Sequence, residues 1–251
     1  MIRKKFRMRN VIAGAICLAA SCGFVSCGDK CDKNDPKSSC YVKPTPIPDD
    51  STTVETKIKD QDGNVYTEVT IGTQTWLKEN LKTTKYQDGT PIANITQDAA
   101  WTSATSGAYC WYDNNVANKN TYGALYNFHV ANSGKICPEG WHVPNNGEWI
   151  ILIDNCGREA TAGKNLKEAG TAHWSVDGGG NNEAGFTALP AGGREVNGTF
   201  SGLHDGTAFW TNVQTSPTEA EVLYLTAFTN SASTERVDVN SGASIRCIKD
   251  E

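Results

Sequence analysis

The sequence predicts an α+β domain with a twisted antiparallel sheet and two or three helices, and three observations lead to this fold class. A capped, amphipathic helix is encoded just after residue 144. Only one or two other segments show helical periodicity. Short apolar runs separated by glycine-rich loops fill the carboxy-terminal half, and this pattern is typical of antiparallel strands.

The first element predicted in the domain is a β-hairpin. Two extended runs, Val65–Ile71 and Gln74–Leu77, are separated by Gly72, which suits a tight turn. Asp62 and Gly63 form a turn signal just before the first run. The hairpin therefore opens the fold.

A helix is predicted next, behind Asn120 as its N-cap. Its apolar and aromatic positions recur at helical spacing: Tyr122, Leu125, Tyr126 and His129. A histidine on such a stripe is more often a core residue than a catalytic base, so we expect His129 to pack in the core.

The main helix carries the strongest local signal in the chain. Asn145 and Glu148 have the spacing of a capping box, in which each side chain bonds the backbone N–H of the other residue. Four apolar residues follow at i, i+3, i+4 and i+7: Trp149, Leu152, Ile153 and Cys156. Gly157 supplies a stop, and Pro144 favours an extended strand at Gly140–Val143.

The remaining elements are a short helix around Lys164–Glu168 and a series of strands. The predicted strands are Phe186–Leu189, Phe209–Val213, Val222–Thr229 and Ala243–Ile248. Each is bounded by turn-forming residues, as expected for short strands of one sheet.

The amino terminus has the pattern of an export signal. Five basic residues within residues 3–9 precede an apolar run at residues 11–25, which is shorter than a permanent transmembrane helix. Ser26 before Cys27 suits the cleavage and lipidation box of bacterial lipoproteins. Cys22 is an alternative lipidation site, but cleavage there would leave Phe24 and Val25 exposed. Residues 1–26 are thus predicted to be a lipoprotein signal peptide.

Residues 27–55 are predicted to be a disordered tether, because proline, serine and charged residues dominate them. Residues 56–251 then form a single domain of ordinary size. Removing residues 1–26 removes five basic and no acidic residues, which changes the formal net charge from −5 to −10. This acidity argues against nucleic acid as a partner, since phosphate backbones require a basic face.

Several ordered blocks of the domain together resemble the Fibrobacter succinogenes major paralogous domain. The blocks are Y-C-W-Y-D-N-N (109–115), Y-G-A-L-Y-N-F (122–128), C-P-E-G-W-H-V-P-N-N-G-E-W (137–149), N-E-A-G-F-T-A-L-P-A-G-G-R (182–194), F-W-T-N (209–212) and S-I-R-C-I-K-D (244–250). The resemblance implies an exported, lipid-anchored protein of Bacteroidetes type. Its similarity to formylglycine-generating enzymes implies a C-type lectin-like fold, which is an argument from analogy.

Cysteine usage fits an exported protein, in which disulfides persist. Four cysteines lie in the domain and allow three pairings, among which the sequence does not choose. We expect Cys137 to pair with Cys247, which would tie the strand before the main helix to the last strand. A bond between Cys110 and Cys156 and a buried, unpaired Cys156 both stay open.

No catalytic signature is present in the sequence. The four histidines form neither H-E-x-x-H nor any close pair, and no G-x-S-x-G motif occurs. Formylglycine-generating enzymes bind copper through two nearby late cysteines, whereas Cys247 stands alone in that region. We therefore expect no enzymatic activity and no cofactor, with a copper-dependent oxidase as the alternative.

Recognition of a glycan or protein outside the cell is the preferred function. Trp111 and Trp174 are the tryptophans expected to be exposed, and the stretch Glu195–Ala208 is expected to be a ligand loop. Its candidate binding residues are Asn197, Ser201, His204 and Asp205. Oxygen ligands for calcium are offered by Asp177, Asn181, Asn182 and Glu183, although no lectin calcium motif is present.

The predicted protein is thus a recognition or adhesion module, lipid-anchored in the outer membrane and facing the cell surface. Its partners would be an extracellular glycan or protein and the membrane that holds the anchor. A non-binding structural protein of the envelope is the second alternative, beside the oxidase.

Overall fold

The computed structural model describes residues 57–175 and 178–251. The predicted signal peptide, the tether and both candidate lipidation sites, Cys27 and Cys22, lie outside these residues, as does Asp177. No helix in the described part combines the length and the hydropathy that a membrane crossing requires.

The described residues contain fourteen β-strands, five α-helices and two short 3₁₀ turns. The strands are β1 (Ile58–Lys59), β2 (Val65–Tyr66), β3 (Glu68–Ile71), β4 (Gln74–Leu77), β5 (Ala93–Asn94), β6 (Ala108–Cys110), β7 (Leu125–Tyr126), β8 (Trp141–His142), β9 (Ala191–Arg194), β10 (Phe200–Leu203), β11 (Gly206–Gln214), β12 (Glu219–Thr226), β13 (Ala232–Asp238) and β14 (Ile248–Lys249). The helices are α1 (Asp98–Thr102), α2 (Lys119–Tyr122), α3 (Phe128–Ala131), α4 (Asn146–Asn155) and α5 (Glu159–Leu166), and the 3₁₀ turns are Tyr112–Asn114 and Val116–Asn118.

The largest sheet has five strands in the order β10-β9-β11-β12-β13. Its pairs are antiparallel except β9 with β11, which meet in parallel at Gly192 and Thr207. The mixture of helices with mainly antiparallel sheets confirms the α+β fold class, whereas the five helices and four sheets of the described residues exceed the predicted two or three helices and one sheet.

A second sheet has four strands in the order β3-β4-β14-β8. Its central strand β14 pairs with β8 between Ile248 and His142. The disulfide Cys137–Cys247 lies beside this pairing, with its Cα atoms 6.0 Å apart, and closes a sequence separation of 110 residues. The expected pairing is confirmed, and it ties the first part of the domain to its last strand.

The predicted hairpin is also confirmed. Strands β3 and β4 pair antiparallel around Gly72, with Ile71 opposite Gln74. The turn signal before them joins β1 to β2, where Gly63 adopts a φ of 78°. Glycine reaches this left-handed conformation without a Cβ clash.

The helix predicted behind Asn120 is wrong. Helix α2 ends at Tyr122, the chain then forms β7, and α3 begins only at Phe128. Gly123 causes the break, with φ 79° and ψ −163°. A Cβ at this position would lie 2.7 Å from the carbonyl oxygen of Leu81, so the chain turns sharply against that segment.

The main helix forms as predicted. Both capping-box bonds are present, since Glu148 N–H donates to Asn145 Oδ1 and Asn145 N–H donates to Glu148 Oε2. The four residues of the apolar stripe, Trp149, Leu152, Ile153 and Cys156, are all buried. Gly157 then leaves the helix with a φ of 97°.

The carboxy-terminal elements differ in part from the prediction. The helix expected at Lys164–Glu168 is α5, which begins earlier, at Glu159. Phe186–Leu189 is not a strand and makes a single bridge, between Ala188 and Lys167. Strands β9, β10 and β13 were not predicted, because glycine and charged residues replace the apolar alternation in them.

Two large hydrophobic clusters lie on opposite faces of the five-stranded sheet. Adjacent residues of β11 show this, since Trp210 packs in one cluster and Phe209 in the other. Cys156 lies in the second cluster, and Cys110 lies in a third, smaller one. Both thiols are free and buried, so the Cys110–Cys156 pairing is wrong and the unpaired alternative holds.

Candidate functional site

A groove crosses one face of the five-stranded sheet and receives residues from all five of its strands. Its volume is about 170 Å³. The residues that line it are Gly192, Gly193, Arg194, Glu195, Ser201, Gly202, Gly206, Thr207, Ala208, Val222, Tyr224, Glu235, Val237, Ser241, Gly242 and Ala243. We call this feature the sheet groove.

Glycines form much of the floor of the sheet groove. Gly192 has a φ of 63°, and a Cβ there would lie 2.6 Å from both Ser201 O and a ring carbon of Tyr112. A Cβ at Gly206 would lie 2.9 Å from the hydroxyl oxygen of Tyr224. The lack of side chains at these buried positions lets neighbouring strands and the Tyr112 and Tyr224 rings pack closely against the backbone.

The wall of the sheet groove is set by strand register. Ala208 lies opposite Tyr224, and Val222 lies opposite Glu235. Paired residues of adjacent strands project from the same face, as do alternate residues of one strand. An aromatic ring, a carboxylate and two small apolar side chains therefore share this face.

The exposed charges of the sheet groove are acidic, because the guanidinium of its basic lining residue, Arg194, is buried and bonds Asp98 and the carbonyl oxygens of Ile95, Thr96 and Gly198. Burial raises the pKa of the Tyr224 hydroxyl, and the negative charges of Glu235, Glu195 and Asp205 raise it further. Both glutamates are exposed at the rim. The groove thus combines a protonated phenol, which can donate a hydrogen bond, with carboxylates that accept them.

The sequence predicted that Glu195–Ala208 is a single ligand loop. This prediction is wrong, because β10 and the start of β11 lie inside the stretch. Ser201 lines the sheet groove, and its hydroxyl donates to the Glu195 carboxylate. Asn197 lies in the β9–β10 turn, where its Oδ1 accepts from Thr199 N–H at 3.0 Å. Only Ser201 of the four candidate residues lines the groove.

His204 and Asp205 form the turn between β10 and β11. His204 has a φ of 69°, and its Nδ1 lies 2.7 Å from the carbonyl oxygen of His173. The Asp205 backbone carbonyl accepts from Ala227 N–H at 2.7 Å. These contacts hold the turn, and the Asp205 charge reaches the groove only through its effect on Tyr224.

The expected exposure of Trp111 and Trp174 is wrong. Trp174 is only 2% exposed, because its indole N–H donates to Ala188 O and Lys167 Nζ lies over its ring. Trp111 is 9% exposed and packs edge-on against Tyr109. All seven tryptophans are buried: Trp76, Trp101, Trp111, Trp141, Trp149, Trp174 and Trp210.

The three described residues of the candidate calcium site are used within their own loop. Asn182 Oδ1 accepts from Thr187 N–H at 2.8 Å, and Asn181 Oδ1 accepts from Glu183 N–H at 3.1 Å. Within residues 57–175 and 178–251 no group of three or more histidine, cysteine or acidic residues is placed to hold a metal.

The copper chemistry of formylglycine-generating enzymes requires free cysteines late in the domain. Here the sulfur of Cys247 is bonded to Cys137, and Cys110 and Cys156 lie in separate clusters. This arrangement does not fit a two-cysteine copper site.

Tyr224 and Glu235 line the sheet groove but were not among the predicted site residues. Tyr224 lies in a run that was predicted to be a strand, and its alternation with Val222 and Ala220 was the available signal. Glu235 lies in β13, whose polar sequence gave no signal of a strand.

Comparison with protein-family models matches residues 69–249 to a model described as the Fibrobacter succinogenes major domain. Searches of the curated proteins and of the solved structures gave no significant match.

Proposed function

The chain belongs to the Fibrobacter succinogenes major domain family, and on that premise we propose that it is a recognition or adhesion module that binds glycans at the bacterial surface. Family membership does not identify a ligand. The observation that carries the proposal is the sheet groove, where Tyr224, two carboxylates and a serine lie beside a floor that is formed largely by glycines.

The groove offers the contacts that a sugar ring uses. The half-buried ring of Tyr224 can pack against a sugar face while its hydroxyl donates a hydrogen bond. The carboxylates of Glu195 and Glu235 accept hydrogen bonds from sugar hydroxyls. The backbone at Gly202 is approachable, since this residue is exposed and a Cβ there would meet no atom closer than 3.8 Å.

The charge of the groove selects among glycans. Burying an acidic sugar beside Glu195 and Glu235 would place like charges close together, which disfavours binding. The ligand class is therefore neutral glycans rather than uronic or sialic acids.

The proposed protein is held on the outer membrane by lipid on Cys27 and carries a C-type lectin-like domain. The export signal and the lipidation box of the amino terminus support the location. The mixture of antiparallel sheets with one ten-residue helix, and the P-x-x-x-E-W block with its buried Trp149, support the lectin-like fold.

Metabolic labelling with a tagged fatty acid tests the anchor. We expect the label on the wild type and on a Cys22→Ala variant, and none on Cys27→Ala. Label that is lost with Cys22→Ala instead would move the anchor to the alternative site.

Binding of the purified full-length chain to neutral and acidic glycans tests the function. For a neutral glycan that binds, Tyr224→Ala should weaken affinity by at least about tenfold, equal to about 1.4 kcal/mol. Tyr86→Ala is the matched control, because Tyr86 is half-buried and lies outside the groove.

If Tyr224→Ala and Tyr86→Ala weaken glycan affinity equally, the sheet groove is not the glycan-binding site. Binding with release of sugar products would indicate an enzyme, and a blank panel for the folded chain would favour a structural protein of the envelope.

A further inference from the structure

A second concave feature lies beside the four-stranded sheet, away from the sheet groove. It is a cavity of about 220 Å³ between the segment after β4, the residues around Gly123 and the loop before β9. Lys78, Lys82 and Arg246 contribute three cations to its lining. We call it the cationic cavity.

Arg246 is buried without a carboxylate partner among the described residues. Its Nε and Nη2 both donate to Asn80 Oδ1, at 3.1 and 2.7 Å. Its Nη1 donates to the carbonyl oxygens of Leu77 and Phe186. These bonds use four of the five N–H donors of a guanidinium, so one N–H of Nη2 donates to no atom of the described chain.

Burial makes the charge of Arg246 costly, and contacts with two aromatic rings offset part of that cost. The side chain stacks near Phe186 and Phe209, with its central carbon 4.4 and 5.3 Å from the two ring centroids. Burial lowers the pKa of Arg246 to about 9, while the charge of Glu79 opposes the shift. The group stays charged at neutral pH, and a buried charge without an ionic partner favours an anion that reaches it.

Lys78 and Lys82 are half-buried, and neither forms an ion pair within the described residues. Glu79 is the carboxylate among the lining residues. Its two oxygens accept from the backbone N–H and the hydroxyl of Thr67, each at 2.8 Å. Glu79 is therefore engaged with the start of β3, and the lining carries more positive than negative charge.

The backbone of the cavity wall is strained at Thr187. This β-branched residue has a φ of 55°, a conformation that its side chain strongly disfavours. Two hydrogen bonds to Asn182 stabilise this conformation. Thr187 N–H donates to Asn182 Oδ1 at 2.8 Å, and Asn182 Nδ2 donates to the Thr187 hydroxyl at 2.9 Å. Such strain collects at ligand-binding positions.

From this arrangement we propose that the cationic cavity binds a small oxyanion group, with Arg246 at its base and Lys78 and Lys82 at its mouth. A guanidinium and two ammonium groups suit the oxygens of a phosphate or a carboxylate. The group can belong to a phosphorylated envelope molecule or to an acidic sugar, and both present the same chemistry.

Titration of the isotope-labelled full-length chain, followed by NMR, tests the proposal. Inorganic phosphate and sodium glucuronate are the two probes, at constant ionic strength maintained with chloride. We expect saturable shifts at the amides of Lys78 and Lys82 and at the Arg246 Nε–H signal. The tighter of the two probes identifies the source of the oxyanion.

The decisive variant is Lys78→Gln with Lys82→Gln, which should weaken the tighter probe at least tenfold. The matched control is Lys57→Gln with Lys164→Gln, which removes the same charge from exposed positions outside the cavity. The single variants Lys78→Gln and Lys82→Gln provide the same test, with a weaker effect, if the double variant fails to fold.

Two results would overturn the proposal. One is a set of shifts spread evenly over surface lysines without saturation, and the other is equal weakening by the decisive and control variants. Tyr224→Ala should leave the shifts caused by phosphate unchanged. The proposal for the cationic cavity is therefore tested independently of the proposal for the sheet groove.

Discussion

The sheet groove and the cationic cavity carry opposite charges and are built differently. In the groove, exposed glutamates stand at the rim of an open sheet face whose floor is glycine. In the cavity, a fully buried arginine is held by neutral oxygens and flanked by half-buried lysines. The groove places its carboxylates where water solvates them, whereas the cavity holds one guanidinium that protein atoms cover almost completely.

This difference in the burial of charge suits the two regions to different proposed ligands. A rim carboxylate costs little, because water stabilises it, and it repels anions mainly at short range. A buried guanidinium costs more and attracts anions through a medium of lower dielectric. The proposed ligands are accordingly neutral in the groove and anionic in the cavity.

We expect the largest change in stability from removal of the disulfide Cys137–Cys247. Cys137→Ser with Cys247→Ser should lower the free energy of unfolding by about 2 to 5 kcal/mol, since the unfolded chain gains freedom. Cys247 directly follows Arg246, and its carbonyl oxygen accepts from Leu77 N–H at 3.0 Å. Hydrogen exchange should therefore accelerate more in β4 and β14 than in β11 and β12. Chemical denaturation gives the total loss.

Reduction of the wild-type chain provides the control for this variant, since it breaks the same bond without changing side-chain volume. Equal acceleration of hydrogen exchange in the four-stranded and five-stranded sheets would show that the two sheets unfold as one unit, which would contradict the prediction.

A smaller effect on stability is expected from titration of His142, in the four-stranded sheet beside the cationic cavity. His142 lies in β8 with Nε2 at 2.8 Å from Glu148 Oε1 and Nδ1 at 2.6 Å from Asp250 Oδ1. Burial lowers the His142 pKa, but the bonds to Asp250 and Glu148 outweigh burial and raise it above 6.5. The stabilisation is complete below pH 6.5 and is lost as pH rises through the folded-state pKa.

The expected loss is under about 1 kcal/mol, because water screens a partly exposed pair. Urea denaturation across pH 5 to 9 measures it, and His142→Gln should remove this part of the pH dependence. An unchanged profile in the variant would show that another group is responsible.

The smallest expected effect is a change in the pKa of Tyr224 in the sheet groove. Glu195→Gln with Glu235→Gln should lower the Tyr224 pKa, because two of the charges that raise it are removed. The fall should be partial, since burial is the larger cause and persists. Carbon-13 NMR of labelled tyrosine measures the pKa, with Glu159→Gln and Glu183→Gln as controls remote from the groove. A Tyr224 pKa that does not move would show that burial alone sets it.

Local signals in the sequence predicted the elements whose determinants are close in the chain. The capping box needs only Asn145 and Glu148, three positions apart, and the stripe of α4 follows from helical spacing. The hairpin at Gly72 has the same local character. The residues that determine each of these elements lie within a few positions of one another, so the elements can be predicted without knowledge of distant partners.

The candidate site was harder to predict, because its strands depend on distant partners. Strand β9 reads Ala-Gly-Gly-Arg and β10 reads Phe-Ser-Gly-Leu, and neither shows apolar alternation. The break at Gly123 depends on the carbonyl oxygen of Leu81, which lies about forty positions earlier. The burial of Trp174 likewise depends on Ala188 O, which no spacing rule connects with it.

The burial of every indole ring determines how this protein can be observed. Tryptophan emission should be blue-shifted in the native state and should report loss of the core rather than occupancy of the groove, whose aromatic residue is Tyr224. Fluorescence assays of sugar binding will therefore need an added dye at the sheet face, whereas denaturation can be followed without any label.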